Sequence, residues 1–384
     1  MGFTRGCAGD DYQRQGDQRT TLLQRGRHAW APVGVGGEHH ARSGTARGAQ
    51  RPPRHCYNVR HFIESTQALS VEQWESYYRN GAIATCPTGP DGGYDLEVRD
   101  AWVEFFATLP DNASILDVGT GNGVIALIAA ETAAATGRTW EIHATDLARI
   151  DPTRYVPDGV RRLAGITFHA GVATERLPFE SARFDAVSGH YALEYTDTAA
   201  ALTEVYRVLK PGGDAQFILH CADSVLVKSA KNSLLEADIV LVQTKIFRRL
   251  HRLVTMEQVA PATAQRAAEE LRAAIRIVKK TLAQARQAGA GRVLSVALDA
   301  VQKLLKGRTQ ARPQLIGLEV DRAEAEMRAS IRRLNDLLGH ARSAQEMDAL
   351  ENQARATGFS LIERMPQFHA GSNLVGWQLL LHRA

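Results

Sequence analysis

The sequence predicts an α/β fold: a doubly wound, mostly parallel sheet with a large α-helical insertion between its fifth and sixth strands. Three observations predict it. Short apolar runs alternate with helical patterns between about residues 113 and 222. A glycine-rich stretch, ILDVGTGNG (Ile115–Gly123), joins the first run to the helix behind it. The alternation then stops for about 120 residues of nearly pure helix pattern and resumes for one helix and two strands. Strand–helix alternation of this kind reads as a parallel sheet covered on both faces.

Taken in order, residues 1–60 are rich in Gly, Arg and Gln and cannot bury enough surface to offset their ordering entropy. They are expected to be a disordered basic tail. Asp10, Asp11 and Asp17 argue against a transit peptide. Residues 61–110 hold two helices. SVEQWESYYRNG has Ser70 as N-cap, Gln73 at the third position and Gly81 as its stop. The second is capped by Asp95, places Val98, Trp102, Phe105 and Phe106 on one face, and has Pro110 just beyond its end.

The core follows over 111–224. Its predicted strands are ASILDVG, WEIHATD, GITFHAG, FDAVSGH and GGDAQFILH, with helices NGVIALIAAETAAAT and TAAALTEVYRVLK between them. Residues 225–345 form the insertion. Leu271, Ile275, Val278 and Leu282 make one apolar stripe, and Met327, Ile331, Leu334 and Leu338 another. Breaks are expected near Pro261, Gly289–Gly291 and Pro313, and antiparallel packing between the pieces. Residues 346–384 complete the core with a helix stopped by Gly358, then FSLIERM and LVGWQLLLHR.

Composition excludes some classes. No apolar run approaches the roughly 18–20 residues of a membrane span. Cys7, Cys56, Cys86 and Cys221 are far apart, which suggests neither a zinc site nor a disulfide framework, and a cytoplasmic setting fits best. No His/Cys/Asp cluster has metal spacing. The net charge of +4 splits into +6 over 1–60, +11 over 225–345 and −13 over the rest. An acidic core thus carries two basic attachments.

The glycines stand as G-x-G-x-G, at Gly119, Gly121 and Gly123. A dinucleotide loop would read G-x-G-x-x-G, and a triphosphate loop would need a downstream Lys-Ser or Lys-Thr. Asp117 precedes the first glycine by two residues, poor company for a pyrophosphate but suited to an ammonium. Asp146 ends the second strand, beside the loop in a doubly wound sheet, where a carboxylate can accept both ribose hydroxyls. Asp146 is also placed to cap a turn over LARI. A nucleoside with a charged amino acid at its other end satisfies both acids, and S-adenosyl-L-methionine is such a molecule.

ILDVGTGNG, HATDLA, ERLPFESARFDAVSGHYALEY and EVYRVLKPGG, in that order, resemble the motifs of class I S-adenosylmethionine-dependent methyltransferases, closest to the group of the ubiquinone/menaquinone biosynthesis enzymes. The resemblance covers about 95–220, with 345–384 as the terminal hairpin. It implies a Rossmann-like sheet of seven strands whose last strand is antiparallel. It also implies that Asp117, Gly119, Gly121 and Gly123 hold the methionine end and that Asp146 holds the ribose, with Thr120, Asn122 and Leu147 as further candidates for the cofactor site. The family often has Asp in GDAERLPF where this chain reads GVATERLPF. Val172 and Ala173 are therefore expected at the adenine as an apolar wall, with Glu175 either swinging in or remaining a solvated loop charge.

Methyl transfer from a sulfonium needs the nucleophile brought into line and water excluded, and a base only for a poorly ionised acceptor. His190 and His220 are the candidate bases, beyond the fourth and fifth strands; each could instead only line the pocket. Tyr191 and Glu194 are candidates for the acceptor pocket, as are Tyr77 and Tyr78, which would close a lid or simply pack an amphipathic helix. The insertion is expected to shape acceptor choice. Its basic faces, KIFRRLHRL and RAAIRIVKK, would be solvated, dock an acidic carrier protein, or bind RNA phosphates; no recognisable RNA-binding module argues for the last. IVLVQTKIFRRLHRLV is also amphipathic enough to touch an anionic membrane surface. The insertion could also pair two copies of the chain as a homodimer. The expected function is methylation of a small or lipid-like acceptor at oxygen, carbon or nitrogen; the alternatives are an RNA methyltransferase and a non-catalytic scaffold.

Overall fold

The structure, a computed structural model, describes residues 71–384 apart from 87, 88, 90, 91 and 308–311. The expected tail over 1–60 and the expected cap Ser70 lie outside the described residues. The strands are β1 (Ser114–Val118), β2 (Glu141–Asp146), β3 (Ile166–Ala170), β4 (Phe184–His190), β5 (Leu209–His220), β6 (Leu361–His369) and β7 (Asn373–His382). They form one sheet in the order β3-β2-β1-β4-β5-β7-β6. The first five are parallel, and β7 runs antiparallel to both β5 and β6. This is the seven-stranded, doubly wound sheet that the sequence predicts, with the last strand antiparallel.

The helices in chain order are α1 (Val71–Tyr78), α2 (Leu96–Ala107), α3 (Val124–Thr136), the single turns α4 (Pro152–Tyr155) and α5 (Gly159–Arg162), and α6 (Thr198–Val208). Then follow α7 (Val225–Asp238), α8 (Ile246–Val254), α9 (Pro261–Gln287), α10 (Arg292–Gly307), α11 (Pro313–His340) and α12 (Ala344–Thr357). One face of the sheet is covered by α2 and α3, where Trp102, Phe106, Ile125 and Ile128 pack on Ile115 and Ile142. The predicted face of α2 is buried as a set: Val98, Trp102, Phe105 and Phe106. The other face is covered by α6 and α12, through Leu202, Val205, Met347 and Leu350. Each such side chain removed from water contributes about 1.5–3 kcal/mol. Asp197 caps α6 through the Ala199 and Ala200 N–H groups, and Ser343 with Glu346 forms a capping box on α12.

Between β5 and β6 the chain leaves the sheet for α7–α11. Pro261 and Pro313 sit in the first turns of α9 and α11, where a missing N–H costs nothing, and Gly289 and Gly291 turn the chain between α9 and α10. Leu271, Val278, Leu282, Met327 and Ile331 are buried in a core that belongs to these helices, with Ile275, Leu334 and Leu338 packed against it. The amphipathic stretch expected to meet a membrane is spent here. Ile246, Phe247, Leu250, Leu253 and Val254 of α8 are all buried, so its apolar face is turned inward and only the basic face meets solvent. No helix among the described residues is long and apolar enough to cross a membrane.

Candidate functional site

The strand order reverses between β1 and β4, since the chain runs outward from β1 to β3 and then returns to lay β4 on the other side. Ligands of open α/β sheets bind in the crevice at the carboxyl ends of strands at such a point. ILDVGTGNG lies there. Its three glycines have φ of +61°, +55° and +87° at 119, 121 and 123. Neighbours press on them: a Cβ at Gly119 would lie 2.4 Å from the Ala192 Cβ, and one at Gly121 would lie 2.7 Å from the Tyr78 ring. Only glycine supplies this conformation and this clearance.

Asp117 is almost fully buried at the end of β1. Its carboxylate accepts from Thr120 Oγ1 at 2.5 Å and Ser188 Oγ at 2.8 Å, and pairs with no cation among the described residues. Burial pushes its pKa up to about 7 despite those two bonds. Asp146, at the end of β2, is buried too. It accepts the Gly121 N–H at Oδ2 and the Ala148 N–H at Oδ1, both at 2.8 Å. Burial raises it to about 6. The cap read for Asp146 over the turn after β2 is thus present, and the same carboxylate also ties the glycine loop to the end of β2.

A cavity of about 930 Å³ opens from this point. Asp117, Gly119, Thr120, Gly121, Asp146, Leu147 and Ala173 line it, together with Tyr77, Tyr78, His190, Tyr191 and His220. Leu147 is 52% exposed there, an apolar side chain held open to the cavity. Four expected residues do not line it. Gly123 starts α3 behind the loop, against Phe168 and Leu163. Val172 packs into the apolar core under α6 rather than onto the cavity, so the apolar wall expected from it falls to Leu147 and Ala173. Glu175 lines the cavity, but its carboxylate accepts the Asp197 N–H, which ties it to the start of α6.

Asn122 is a strut. Its Nδ2 donates to the carbonyls of Tyr78 at 2.9 Å and Ala82 at 2.8 Å, fastening the end of α1 to the loop. Trp74 stacks on Tyr78, with 6.0 Å between ring centroids. Asn122→Ala should therefore release α1 while leaving the sheet intact. The expected loss is about 1–3 kcal/mol, read as faster hydrogen exchange over 71–82 with β1 and β4 still protected. Equal exchange in both regions would argue that the strut holds nothing.

Glu194 is the fourth. It lies beneath the cavity, where Oε1 accepts the His220 backbone N–H at 2.8 Å and Oε2 is buried without a partner. Burial lifts its pKa to about 7. His220 stacks face to face on Tyr191 at 3.8 Å, and Tyr191 has φ of +53°. That strained backbone is held by Tyr191 N–H to the Ile218 carbonyl and its hydroxyl to the Val375 carbonyl. Burial holds the His220 imidazole down at about 3.

His190 is the most constrained of the set. Trp102 Nε1 donates to its Nδ1 at 2.9 Å, and Tyr94 stacks on its ring at 4.3 Å. An indole N–H can only donate, so the neutral imidazole carries its hydrogen on Nε2. That Nε2 is buried and has no partner. Burial, then neighbouring His220, keeps the ring far below the ordinary histidine range. No sequence signal pairs Trp102 with His190 across 88 positions; the burial stripe of α2 shows only that Trp102 faces the sheet. The stacking of Tyr94 on the same ring carries no sequence signal either. The far wall is built by the insertion, from Leu226 and Ser229 on α7, Val296 on α10 and Met327, Arg333 and Leu337 on α11. Among the described residues no group of His, Cys, Asp and Glu could hold a metal ion.

Residues 115–213 match the family described as "Methyltransferase domain". The chain is 33% identical over 130 residues to a ubiquinone/menaquinone biosynthesis C-methyltransferase of Xylella fastidiosa (strain M23), covering 32% of this chain and 49% of that protein. It is 29% identical over 114 residues to a malonyl-[acyl-carrier protein] O-methyltransferase of Enterobacter lignolyticus (strain SCF1), covering 29% and 41%. The chain thus spans about half or less of the length of these curated relatives. Among solved structures, the geranyl diphosphate C-methyltransferase of Streptomyces coelicolor A3(2) is 16% identical, covering 39% of this chain and 64% of that one with a TM-score of 0.30.

Proposed function

We propose that this chain, which resembles the class I S-adenosylmethionine-dependent methyltransferases of the ubiquinone/menaquinone biosynthesis group, transfers a methyl group from S-adenosylmethionine to a small or lipid-like acceptor. One observation carries the reading. Two buried carboxylates without cationic partners among the described residues, Asp117 and Asp146, flank a glycine loop at the strand-order switch and face a cavity of about 930 Å³. The residues fit such a cofactor. Asp117 is bonded only by hydroxyls and has room in its charge balance for an ammonium. Asp146 has one lone pair on each oxygen beyond its two backbone bonds, enough for two ribose hydroxyls. Leu147 and Ala173 offer the flat apolar surface an adenine needs.

Bound there, the cofactor supplies a methyl group already activated on a sulfonium. The chain's part is to align and to dry. Tyr78 and Trp74 cover the loop, and the insertion closes the far side, so the acceptor's lone pair would approach the methyl carbon away from bulk water. The cofactor would supply the methyl carbon with sulfur as its leaving group, and the residues named here would hold it and keep water away. His190 does not act as the base in this scheme, because its ring has no free lone pair: Nδ1 accepts from Trp102, and Nε2 carries the hydrogen and is buried. His220 is a weak base, held neutral by burial. The site suits acceptors that arrive nucleophilic or ionised. An acidic carrier protein would meet the exposed Arg272, Arg276, Lys279 and Lys280 of α9, since on α8 Arg252 already pairs with Glu270.

Calorimetry with S-adenosylmethionine tests this first: one site per chain is expected, and absence of binding would end the proposal. Labelled-methyl transfer into an extract of the source organism, with mass identification of the product, then identifies the acceptor.

A further inference from the structure

The roof of the cavity holds a cation with no anion of its own. Arg333 of α11 lines the cavity and lies half-buried, its guanidinium carbon 4.6 Å from the centre of the Tyr77 ring. Its neighbours on the helix are occupied: Arg322 pairs with Glu326, Arg328 with Glu324, and Arg332 donates to Gln73. Among the described residues Arg333 has no ion pair and no hydrogen bond, and the groups acting on it are Tyr77, Tyr78 and Arg332. The acids on the same wall are engaged elsewhere, Asp336 with His340 and Glu326 with Arg322. Val296, Ala300, Met327 and Leu334 line the same cavity, together with Ser330 and a second arginine, Arg292, which also acts on Tyr77.

Withdrawing a guanidinium from water without a partner is costly, and the cost is recovered when an anion arrives. The guanidinium lies over the Tyr77 ring, and its planar fork matches a carboxylate or phosphate through two parallel bonds. Tyr77 touches Tyr78, which lies on Gly121, so this cation reaches from the insertion toward the glycine loop. We infer that Arg333 receives the anionic group, carboxylate or phosphate, of an acceptor whose remaining surface is apolar. The inference rests on the methyltransferase reading only in taking this cavity as the acceptor site.

The test uses the full chain and three probes with one apolar tail: octanoate, octyl phosphate and 1-octanol, titrated by calorimetry at low salt. Wild type should bind at least one anion about tenfold or more tighter than octanol. Whichever anion is preferred identifies the group. R333Q should bring that anion to the octanol level, with octanol and S-adenosylmethionine affinities unchanged, and R333K should keep part of the preference. Equal affinity for all three probes in wild type, or a preference that survives in R333Q, overturns the inference. Should R333Q not fold, the wild-type panel with R333K decides. S-adenosylmethionine is titrated in parallel. Wild type that prefers the anion but ignores the cofactor keeps this inference and ends the methyltransferase reading.

Discussion

Asp146→Ala is expected to abolish measurable S-adenosylmethionine binding and to lower the stability of the unliganded chain by about 2–4 kcal/mol. The two losses have one origin. The carboxylate accepts the N–H groups of Gly121 and Ala148 inside the protein. Removing it leaves both donors buried without a partner, and the loop loses its tie to β2. A ribose would lose its acceptors in the same change, so a fall of at least about 100-fold in affinity is expected, equal to nearly 3 kcal/mol. Asp146→Asn separates the effects. Its single carbonyl oxygen can keep one backbone bond, so stability should fall by about half as much while binding still drops steeply. Thermal melts and calorimetry on both variants decide the matter. Tight binding in Asp146→Ala would remove this residue from the nucleoside site.

The second large effect is a pH dependence centred on Asp117. Its folded pKa is raised to about 7 by burial, above the usual carboxylate value. A raised folded value means that the group stabilises the fold below about pH 4 and that this contribution is lost as pH climbs through 7. In the unliganded chain the ionised group then costs up to about 4 kcal/mol. Asp117→Asn should accordingly raise the melting temperature at pH 8, raise it less at pH 5 and leave it nearly unchanged at pH 4. An ammonium needs the carboxylate ionised. Affinity for S-adenosylmethionine should therefore climb between pH 5.5 and 7.5, approaching tenfold per unit on the acid side. Asp146 and Glu194 are also raised, to about 6 and about 7, and titrate in this window. The difference between wild type and Asp117→Asn isolates Asp117. Identical pH profiles for the two proteins would refute its role.

Much of this architecture is legible in the chain because its signals are local. Apolar runs and glycine stops mark β1–β5 and α3. The prolines at 261 and 313 begin helices because proline spoils nothing in a first turn. The seat of β7 between β5 and β6 is not legible, since antiparallel pairing over 160 residues leaves no periodic trace. β5 also begins at Leu209 rather than Gly212, running through Pro211 with a register shift against β4. Of the site, Asp117, Asp146 and the glycines are readable because their spacing is short. Val172 misleads, because an apolar side chain beside the strand ends can serve the core as well as a ligand, and here it packs in the core. The fixed tautomer of His190 depends on Trp102, and the open charge of Arg333 depends on the absence of neighbours. Neither a distant pairing nor a missing one is written in a pattern of nearby residues.

The late arrival of β7 has a price during synthesis. Until residues 373–382 emerge, β5 is an outer edge of the sheet, twelve residues long, offering a row of unpaired N–H and C=O groups beside Phe217, Ile218 and Leu219. Such an edge is a template for strand pairing with any chain nearby. All of α7–α12 and β6 must leave the ribosome before the intramolecular partner is available. At about 5–20 residues per second, the wait lasts from several seconds to about half a minute. The nascent chain is thus vulnerable through the middle of its own sheet, a hazard the finished protein conceals.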